Sequence, residues 1–319
     1  MEKKIDVLAL GELLIDFTHN GVSSQGNGLF EANPGGAPCN VLAMLNNLGR
    51  KTAFMGKVGN DIFGRLLKKT LEELSINTDY MQMDEEIRTT LAFVANDETG
   101  DRSFSFYRNP GADMMFTEDE VSEEAIASSR IFHFGTLSMT HEGVRKATKK
   151  ALDIAKKHNV LISFDPNLRE SLWGSLDDAK EQFAYGMGYC DVLKISDNEI
   201  QWFTGEEDYD KGIKILQDTY HIPLILLSLG REGSRAYYKD MRVEVPAFVQ
   251  ENTIETTGAG DTFFGSSLHF VLEKGLDDLK EQDLKEMLTF ANAAASIITT
   301  KKGALKVMPS KEEVEKWLD

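Results

Sequence analysis

The stretch Glu255-Thr-Thr-Gly-Ala-Gly-Asp261 leads directly into Thr262-Phe-Phe-Gly-Ser-Ser-Leu-His-Phe-Val-Leu272, which has an apolar helical pattern. The two glycines give a loop without bulk, so the backbone can approach a ligand closely. A helix begins with unpaired N–H groups and the positive end of its dipole, which together favour an anion such as phosphate. A carboxylate beside a phosphate is unfavourable unless it accepts a proton, and Asp261 is placed to take one from an attacking hydroxyl. The stretch predicts a phosphoryl-transfer centre.

The same residues also allow a purely structural interpretation. Asp is a favoured N-cap, so a bare Gly-x-Gly-Asp fits a simple helix start equally well. The full string, however, resembles the C-terminal signature Asp-Thr-x-Gly-Ala-Gly-Asp of the ribokinase-like (PfkB) carbohydrate kinases, with Glu255 in place of the first Asp. A second motif resembles the N-terminal pattern of that family. It consists of Gly35-Gly-Ala-Pro-Cys-Asn-Val-Leu-Ala-Met-Leu-Asn-Asn-Leu-Gly49 followed by Phe54-Met-Gly-Lys-Val-Gly-Asn-Asp-Ile-Phe-Gly64.

The resemblance implies a specific role for each residue of the loop. Asp261 would be the catalytic base, and the backbone N–H groups of Gly258, Ala259 and Gly260 would stabilise charge on the transferred phosphoryl group. ATP would be the phosphoryl donor, accompanied by Mg²⁺. A monovalent cation such as K⁺, bound by carbonyl groups near 255–257, is a further option.

Composition restricts the kind of protein. The chain has 319 residues, of which 41% are hydrophobic and 27% charged, as in ordinary globular proteins. The net charge of −17 argues against nucleic-acid partners, whose backbone would be repelled. No apolar run approaches the ~20 residues of a membrane span, and the N-terminus lacks the apolar core of a signal peptide. The only cysteines, Cys39 and Cys190, have no CxxC spacing, so a cytoplasmic location is expected.

Short apolar runs alternate with helical patterns along most of the chain. The predicted strands are 5–10, 52–55, 131–134, 161–164, 192–195 and 224–228. The predicted helices include 40–48, 63–74, 142–158 and 179–187. This alternation predicts right-handed βαβ units, and hence an α/β fold with a central, mostly parallel sheet and helices on both faces.

Two segments interrupt that alternation. Residues 17–32 are polar and Gly-rich, while 89–95 and 103–108 read as a hairpin around 96–101. Such patterns indicate a small separate sheet, which the family resemblance identifies as a lid over the sugar that excludes water. We therefore expect one kinase domain over 1–319, with a lid formed by about 12–32 and 89–110 inserted into it. Exposed lid edges could pair two copies, which predicts a homodimer through the lid.

Residues for a sugar follow the first strand. Parallel sheets bind ligands at the carboxyl ends of their strands, where Asp16 lies, and Gly35, Gly36 and Asn40 come soon afterwards. Carboxylate, amide and bare backbone are the groups that hold a polyol. By spacing alone, Asp16 fits an ordinary surface residue equally well and Asn40 fits a helix cap better. The resemblance places all four against the sugar.

Two further strings narrow the substrate. Phe106-Tyr-Arg-Asn-Pro-Gly-Ala-Asp113 and Asp165-Pro-Asn-Leu-Arg169 resemble the fructokinase branch of the family, in which the arginines face the ketose. Without the family, Arg108 and Arg169 fit solvated surface cations, or a pair that holds an acidic or phosphorylated sugar. We expect a ketohexose kinase acting on fructose. The alternatives are a ketodeoxygluconate or nucleoside kinase, and a non-catalytic sugar-binding protein on the same fold.

The predicted nucleotide contacts lie in the second half of the chain. Leu227-Ser-Leu-Gly-Arg-Glu-Gly-Ser234 resembles the Gly-x-x-Gly loop of the family, which assigns Ser228, Gly230 and Gly233 to ATP. Taken alone, this pattern is usually a turn between strands. Asn292 lies on a helix of small residues that would let an adenine pack closely, although small residues more often mean tight helix packing. Walker A, Rossmann, zinc and Gly-x-Ser-x-Gly patterns are absent from the sequence.

A charged motif completes the predicted nucleotide side. Lys194-Ile-Ser-Asp-Asn-Glu199 occupies the position of the Asn-x-x-Glu motif of the family, with Ser196 where Asn often stands. The resemblance assigns Lys194 to ATP and Glu199 to Mg²⁺ through its waters, because Mg²⁺ prefers oxygen ligands and keeps part of its hydration. As an acid at a helix start, Glu199 is also explained by the helix dipole alone.

Overall fold

The computed structural model describes residues 3–96 and 102–318. The described strands are β1 (Ile5–Leu10), β2 (Leu14–Val22), β3 (Gly28–Gly35), β4 (Thr52–Gly59), β5 (Asn77–Asp84), β6 (Leu91–Asn96), β7 (Arg102–Tyr107), β8 (Ser129–Gly135), β9 (Leu161–Asp165), β10 (Val192–Ser196), β11 (Leu224–Ser228), β12 (Ser234–Tyr238) and β13 (Met241–Val245). The described α-helices are α1 (Ala37–Asn47), α2 (Ile62–Glu73), α3 (Glu123–Ala127), α4 (Glu142–Lys157), α5 (Leu176–Met187), α6 (Asp197–Thr204), α7 (Tyr209–Tyr220), α8 (Ala259–Lys274), α9 (Glu281–Ile298) and α10 (Lys311–Leu318).

Nine strands form the main sheet, in the order β13-β12-β11-β10-β9-β8-β1-β4-β5. The strands from β11 to β5 in this order run parallel, while β12 and β13 form an antiparallel edge next to β11. Most of these strands are buried along nearly their whole length, as β4 and β8 show. Parallel strands are covered on both faces, which explains why they read as continuous apolar runs in the sequence.

Helices cover both faces of the main sheet. One apolar core lies under α1, α2, α8, α9 and α10 and includes Leu42, Phe264 and Leu288. The other lies under α3 to α7 and includes Phe164 and Phe183. The predicted α/β class, with a mostly parallel sheet between two helix layers, is confirmed. None of the helices in the described ranges combines the length and apolar character that a membrane span requires.

Several element boundaries differ from the predicted ones for local reasons. Helix α1 begins three residues before the predicted start, because Gly36 is its N-cap and Pro38 fits its first turn. Helix α5 begins at Leu176 rather than 179, since the Ser175 side chain accepts a hydrogen bond from the N–H of Asp178. Strand β4 continues to Gly59 through two glycines that the pattern left outside the strand.

A second sheet of four strands, in the order β3-β2-β6-β7, forms a small sheet apart from the main one, as predicted. Its central strands β2 and β6 are parallel, and the outer pairs are antiparallel. Phe17 of β2 stacks on Phe93 of β6 with ring centroids 4.9 Å apart, and Phe63 of α2 meets Phe17 edge-on at 5.6 Å. The tip of the predicted hairpin, 97–101, lies outside the described residues.

Candidate active site

A first cavity of about 440 Å³ opens at the carboxyl ends of the parallel strands. It is lined by Glu12, Leu14, Asp16, Gly36, Ala37, Asn40, Phe106, Leu137, Asn167, Arg169, Lys194, Thr256, Thr257, Gly258, Gly260 and Asp261. The segments after β1, β8 and β9 supply one side, and the first turn of α8 supplies the other. This is the edge at which parallel sheets usually bind ligands.

The first turn of α8 has the backbone that an anion site needs. Gly258 is its N-cap with a φ of 76°, and a Cβ there would lie 2.7 Å from the Cβ of Ala304, so only glycine fits. The N–H of Ala259 donates to the carbonyl of Thr256 at 3.2 Å. Within the described ranges, no backbone carbonyl accepts a hydrogen bond from the N–H group of Gly258 or of Gly260. Of the three predicted amides, these two are the ones available to a ligand.

Asp261 stands at this helix start and contacts α1. The Nδ2 of Asn40 donates to its Oδ2 at 2.8 Å. Burial raises the pKa of Asp261, and this outweighs the opposite effects of Asn40, Lys194 and Arg169. Asn40 is itself buried, and no described residue pairs with its Oδ1. Asn40 therefore acts at the first cavity through its Nδ2, the atom that contacts Asp261.

Asp16 and the two glycines predicted for the sugar lie together. A Cβ at Gly35 would be 2.5 Å from the Oδ2 of Asp16. Gly36 has a φ of 131°, and its Cβ would meet the backbone oxygen of Glu12 at 2.4 Å. Burial raises the pKa of Asp16 to about 7, helped by Glu255 and Asp261 and opposed by Arg169. Gly36 is therefore required by the close approach of backbone, whereas a side chain at Gly35 would displace the carboxylate of Asp16.

The two predicted sugar arginines separate in the structure. Arg169 lines the first cavity, and its Nη1 donates to the Oδ1 of Asn167 at 2.7 Å. Arg108 is buried away from that lining, with its guanidinium in an ion pair to Asp113 at 2.7 Å. It also donates to the Oγ1 of Thr140 and the carbonyl of Leu137. Arg108 is therefore not among the residues that line the first cavity, and its predicted contact with the sugar stays a prediction.

Lys194 brings a buried positive charge to the same edge. Its Nζ donates to both carboxylate oxygens of Asp165 at 3.1 Å, and a Cβ at Gly260 would lie 3.2 Å from it. Burial would lower the pKa of Lys194, but Asp165, Glu199 and Asp261 outweigh burial and raise it. The ammonium therefore stays charged beside the first turn of α8. Its predicted contact with ATP is compatible with this position.

Both carboxylate oxygens of Glu199, at the start of α6, accept hydrogen bonds from the protein. Its Oε1 accepts from the N–H of Leu168 at 2.7 Å, and its Oε2 accepts from the N–H and hydroxyl of Ser196. Burial would raise the pKa of Glu199, but Lys194 and these hydrogen bonds outweigh burial and lower it. No group of three or more His, Cys, Asp or Glu residues within the described ranges could hold a metal ion. The predicted role of Glu199 in binding Mg²⁺ through water stays a prediction.

A second cavity of about 230 Å³, mostly apolar, adjoins the first. It is lined by Gly230, Arg231, Ala247, Phe248, Val249, Gln250, Thr253, Thr256, Ala259, Asn292, Ala295, Ser296 and Thr299. Thr256 lines both cavities. Ala259 faces the second cavity, whereas its neighbours Gly258 and Gly260 face the first. The two cavities therefore meet at the first turn of α8, where Asp261 lies.

The residues predicted for the nucleotide have mixed positions. Gly230 lines the second cavity, while Ser228 ends β11 and does not belong to the described lining. Gly233 has a φ of 118°, and a Cβ there would lie 2.2 Å from the oxygen of Val245. The Gly-x-x-Gly segment is thus a turn between antiparallel strands β11 and β12 whose first glycine also reaches the cavity.

Asn292 lines the second cavity, but its amide is occupied by the protein. Its Nδ2 donates to the carbonyls of Val245 and Pro246, and its Oδ1 accepts from the hydroxyl of Ser234 at 2.9 Å. These bonds fix α9 to the antiparallel edge of the main sheet. The small surface predicted there is supplied by Ala295 and Ser296.

The sequence analysis did not assign a role to Glu12 or Asn167, which both line the first cavity. Glu12 is 4% exposed, and its Oε1 accepts from the N–H of Ala37 at 2.9 Å, which caps α1. Burial raises its pKa to about 7. Asn167 follows β9 with a φ of 49° and holds Arg169. Asn167 lies within the string quoted for Arg169, whereas Glu12 lies between the predicted strand 5–10 and Asp16. The position of each just after a parallel strand was the available signal.

Comparisons with known proteins find a matching family and similar solved structures. The family described as pfkB family carbohydrate kinase matches residues 4–311. Probable fructokinase-2 of Arabidopsis thaliana is 40% identical over 315 residues, covering 98% of this chain and 95% of the relative. Fructokinase with bound ATP from Xylella fastidiosa superposes with a TM-score of 0.90 at 29% identity, covering 100% of this chain and 98% of the other. Fructokinase from Vibrio cholerae O395, solved with fructose, ADP and calcium ion, has a TM-score of 0.88 at 29% identity and 99% coverage of both chains.

Proposed function

The chain belongs to the pfkB carbohydrate kinases, which are phosphotransferases, and we propose that it transfers the γ-phosphoryl group of ATP to a hydroxyl of fructose. The observation that carries this proposal is the position of Asp261, at the helix start where a polar and an apolar cavity meet. A sugar fits the polar cavity and an adenine fits the apolar one. The fructokinases similar to this chain support fructose as the sugar.

The charges of the first cavity favour a neutral sugar. Glu12, Asp16 and Asp261 line it, whereas its cations are Arg169 and Lys194. The Lys194 charge is already balanced by Asp165. Glu12 and Asp16, whose pKa values are raised to about 7, are partly ionised at neutral pH, and together with Asp261 they offset the charge of Arg169, so ketodeoxygluconate and fructose phosphates are disfavoured. The oxygens of Asp16 can instead accept hydrogen bonds from neutral hydroxyl groups.

The phosphoryl transfer uses groups that the protein already holds in place. Asp261 accepts the proton of the attacking sugar hydroxyl as its oxygen forms the new bond to the γ-phosphorus. The bond from that phosphorus to the bridging oxygen breaks, and ADP leaves with the bonding electrons. The N–H groups of Gly258 and Gly260 stabilise charge on the transferred group, at ~10²-fold in rate or more for each donor. Lys194 supports the same charge from the β10 side.

The metal requirement follows from the chemistry of ATP. Mg²⁺ neutralises phosphate charge and would arrive with the nucleotide, since it keeps part of its water shell. Glu199 would hold the ion through its waters, because it is buried near Lys194 and its Oε1 accepts one described hydrogen bond, from the N–H of Leu168, and can accept another. Carbonyls near 255–257 remain our proposed K⁺ site. Turnover in potassium, sodium and tetramethylammonium buffers would test it, and equal rates in all three would contradict it.

The substrate is tested by an assay of ADP release with Mg-ATP. The panel contains fructose, fructose phosphates, ribose, adenosine and ketodeoxygluconate. We expect strong turnover with fructose and little with the acidic sugars. Turnover with another sugar alone would reject fructose but keep Asp261 as the base. Tight sugar binding by calorimetry without any turnover would favour a non-catalytic sugar-binding protein.

Asp261→Asn tests the base. We expect the variant to bind both substrates while its kcat falls by about 10²–10⁴-fold, the usual contribution of a positioned general base. Isothermal titration and steady-state kinetics on the same preparation separate binding from turnover. Near-normal kcat would remove Asp261 from this role.

The small sheet is our proposed lid and dimer surface. Its strands supply Leu14, Asp16 and Phe106 to the wall of the first cavity. Val22, Phe30 and Tyr107 in the same sheet are 50% or more exposed, which suits contact with a second copy. Sedimentation of the wild type and Phe30→Glu tests this. A monomeric wild type would contradict it.

We also place the protein in the cytoplasm. Its dependence on ATP and its two free, buried thiols, Cys39 and Cys190, support that location. Cell fractionation followed by the ADP-release assay would check it, and activity confined to another fraction would overturn it.

A further inference from the structure

Both ends of the hairpin β6–β7 are tied to one carboxylate. Thr90 precedes β6 and its Oγ1 donates to the Oδ1 of Asp113 at 2.5 Å. Arg108 follows β7 and its Nε donates to the Oδ2 of the same residue at 2.7 Å. Asp113 belongs to a short 3₁₀ turn, Ala112–Met115, that packs against β4 of the main sheet. The two ends of the hairpin thus share one anchor in the core.

This anchor is buried and tightly fitted. The side chains of Arg108 and Asp113 are 3% and 2% exposed. A Cβ at Gly111 would lie 1.8 Å from the Oγ1 of Thr90 and 2.8 Å from the Oδ1 of Asp113, so only glycine allows the three side chains to converge. Charge-assisted hydrogen bonds in such a site are strong, and losing one partner leaves the other buried and unpaired.

The anchor also reaches the wall of the first cavity. Arg108 donates through Nη2 to the carbonyl of Leu137, which lines that cavity. Phe106, two residues before Arg108, lines it from the hairpin side. Strand β6 pairs with β2, which carries Asp16. A shift of the hairpin relative to the core would therefore displace the wall formed by Phe106 and the strand that carries Asp16.

We propose that Asp113 is a positioning residue that fixes both ends of the hairpin β6–β7 and thereby sets the sugar-facing wall of the first cavity. This inference rests on the proposed function for the identity of the sugar. In this proposal Arg108 acts through Asp113 and Leu137, to which its guanidinium donates hydrogen bonds. Asp261 and the first turn of α8 lie on the opposite side of the cavity, so the anchor governs sugar affinity and leaves the chemical step intact.

The test compares Thr90→Val with Thr90→Ser. Valine has the shape of threonine without the hydroxyl, whereas serine keeps it. We expect Thr90→Val to raise the KM for fructose about tenfold, in line with the loss of a hydrogen bond to a charged group, while kcat changes less than about twofold. Backbone amides of β6 and β7 should exchange faster in Thr90→Val. Thr90→Ser should match the wild type in both measurements.

A second variant and a remote control complete the design. Asp113→Asn should raise the KM further and make Thr90→Val silent in its background, since both act through one group. Asp6→Asn breaks a remote ion pair with Arg130 and should leave KM and hairpin exchange unchanged. Unchanged KM and exchange in Thr90→Val would overturn the proposal, even if Asp113→Asn fails to fold. If the wild type does not phosphorylate fructose, the proposed function fails, and hairpin exchange still decides on the anchor.

Discussion

Asp261 must be ionised to act as a base, yet its surroundings disfavour the charge. Burial raises its pKa, and the hydrogen bond from Asn40 is the largest opposing effect. A higher pKa makes Asp261 a stronger base, but it also lets the carboxylate become protonated before it can act. Burial and the Asn40 hydrogen bond therefore set its pKa between these two demands. Asn40 contributes to that balance through its Nδ2, which donates to the Oδ2 of Asp261.

The pH profile should show this balance. Because the pKa of Asp261 is raised, activity should fall with decreasing pH at a higher pH than for an ordinary Asp, whose pKa is about 3.9. Asn40→Ala removes a donor that favours the carboxylate, so the acid limb of kcat should move to still higher pH. Leu14→Ala is the control, because Leu14 lines the same cavity and is not among the groups that shift the pKa of Asp261. Acid limbs at the same pH in Asn40→Ala and wild type would contradict the prediction.

Gly35 offers a steric test of the sugar site. In Gly35→Ala the new methyl group would lie 2.5 Å from the Oδ2 of Asp16, so the carboxylate must move away from its present position. We expect the KM for fructose to rise roughly tenfold or more, the cost of a hydrogen bond to a charged group. The melting temperature should change little, since the displaced group is the end of a side chain. Gly174→Ala, with no atom within 4 Å of the new methyl group, should behave as wild type.

At the scale of elements, the sequence predicted those strands and helices that one simple hydrophobic pattern defines. The buried strands β1 and β11 have the predicted bounds, because continuous apolar runs flanked by polar residues define them. Strands β12 and β13 were not predicted, since an antiparallel edge carries alternating, half-polar residues. The polar segment that forms most of β2 and β3 was assigned to a small sheet only because it interrupts the alternation of strand and helix patterns.

The site residues divide in the same way. The loop at Asp261 could be predicted, because its function and its local backbone depend on consecutive residues. The partner of Arg108 could not, since a guanidinium that faces a ligand and one that pairs with Asp113 have the same local sequence. Glu12 went unnoticed because its partner, the N–H of Ala37, is distant in sequence. The local sequence pattern does not show which polar or charged groups pair with one another in the folded chain.

The ion pair between β9 and β10 should separate stability from catalysis. Lys194→Met leaves Asp165, which is 2% exposed, without its counter-charge, and should cost about 3–5 kcal/mol of unfolding free energy. The double variant Lys194→Met/Asp165→Leu removes both charges and should regain most of that stability. Neither should regain kcat if the ammonium supports the transferred phosphoryl group. Urea denaturation and ADP release measure the two quantities, and a fully active double variant would confine Lys194 to a structural role.

At the scale of the whole molecule, the two cavities that we propose for the substrates lie at one edge of the main sheet. The two cavities meet where α8 begins, so both ligands approach the same helix start from opposite sides. The rest of the chain contributes a large negative charge, −17 in total, which surrounds this local positive end. One substrate is a polyanion and the other is neutral, so long-range electrostatics should act on them differently.

Ionic strength should therefore change the KM for ATP and leave that for fructose constant. Raising the salt from about 10 mM to about 100 mM shortens the Debye length from ~30 Å to ~10 Å, which screens the overall repulsion more than contacts inside the site. The KM for ATP should fall over this range. Tetramethylammonium chloride is the suitable salt, because it avoids any specific effect of K⁺, and the KM for fructose in the same series is the control. A KM for ATP that rises with salt would mean that the helix start, Lys194 and Arg231 attract ATP more strongly than the remaining chain repels it.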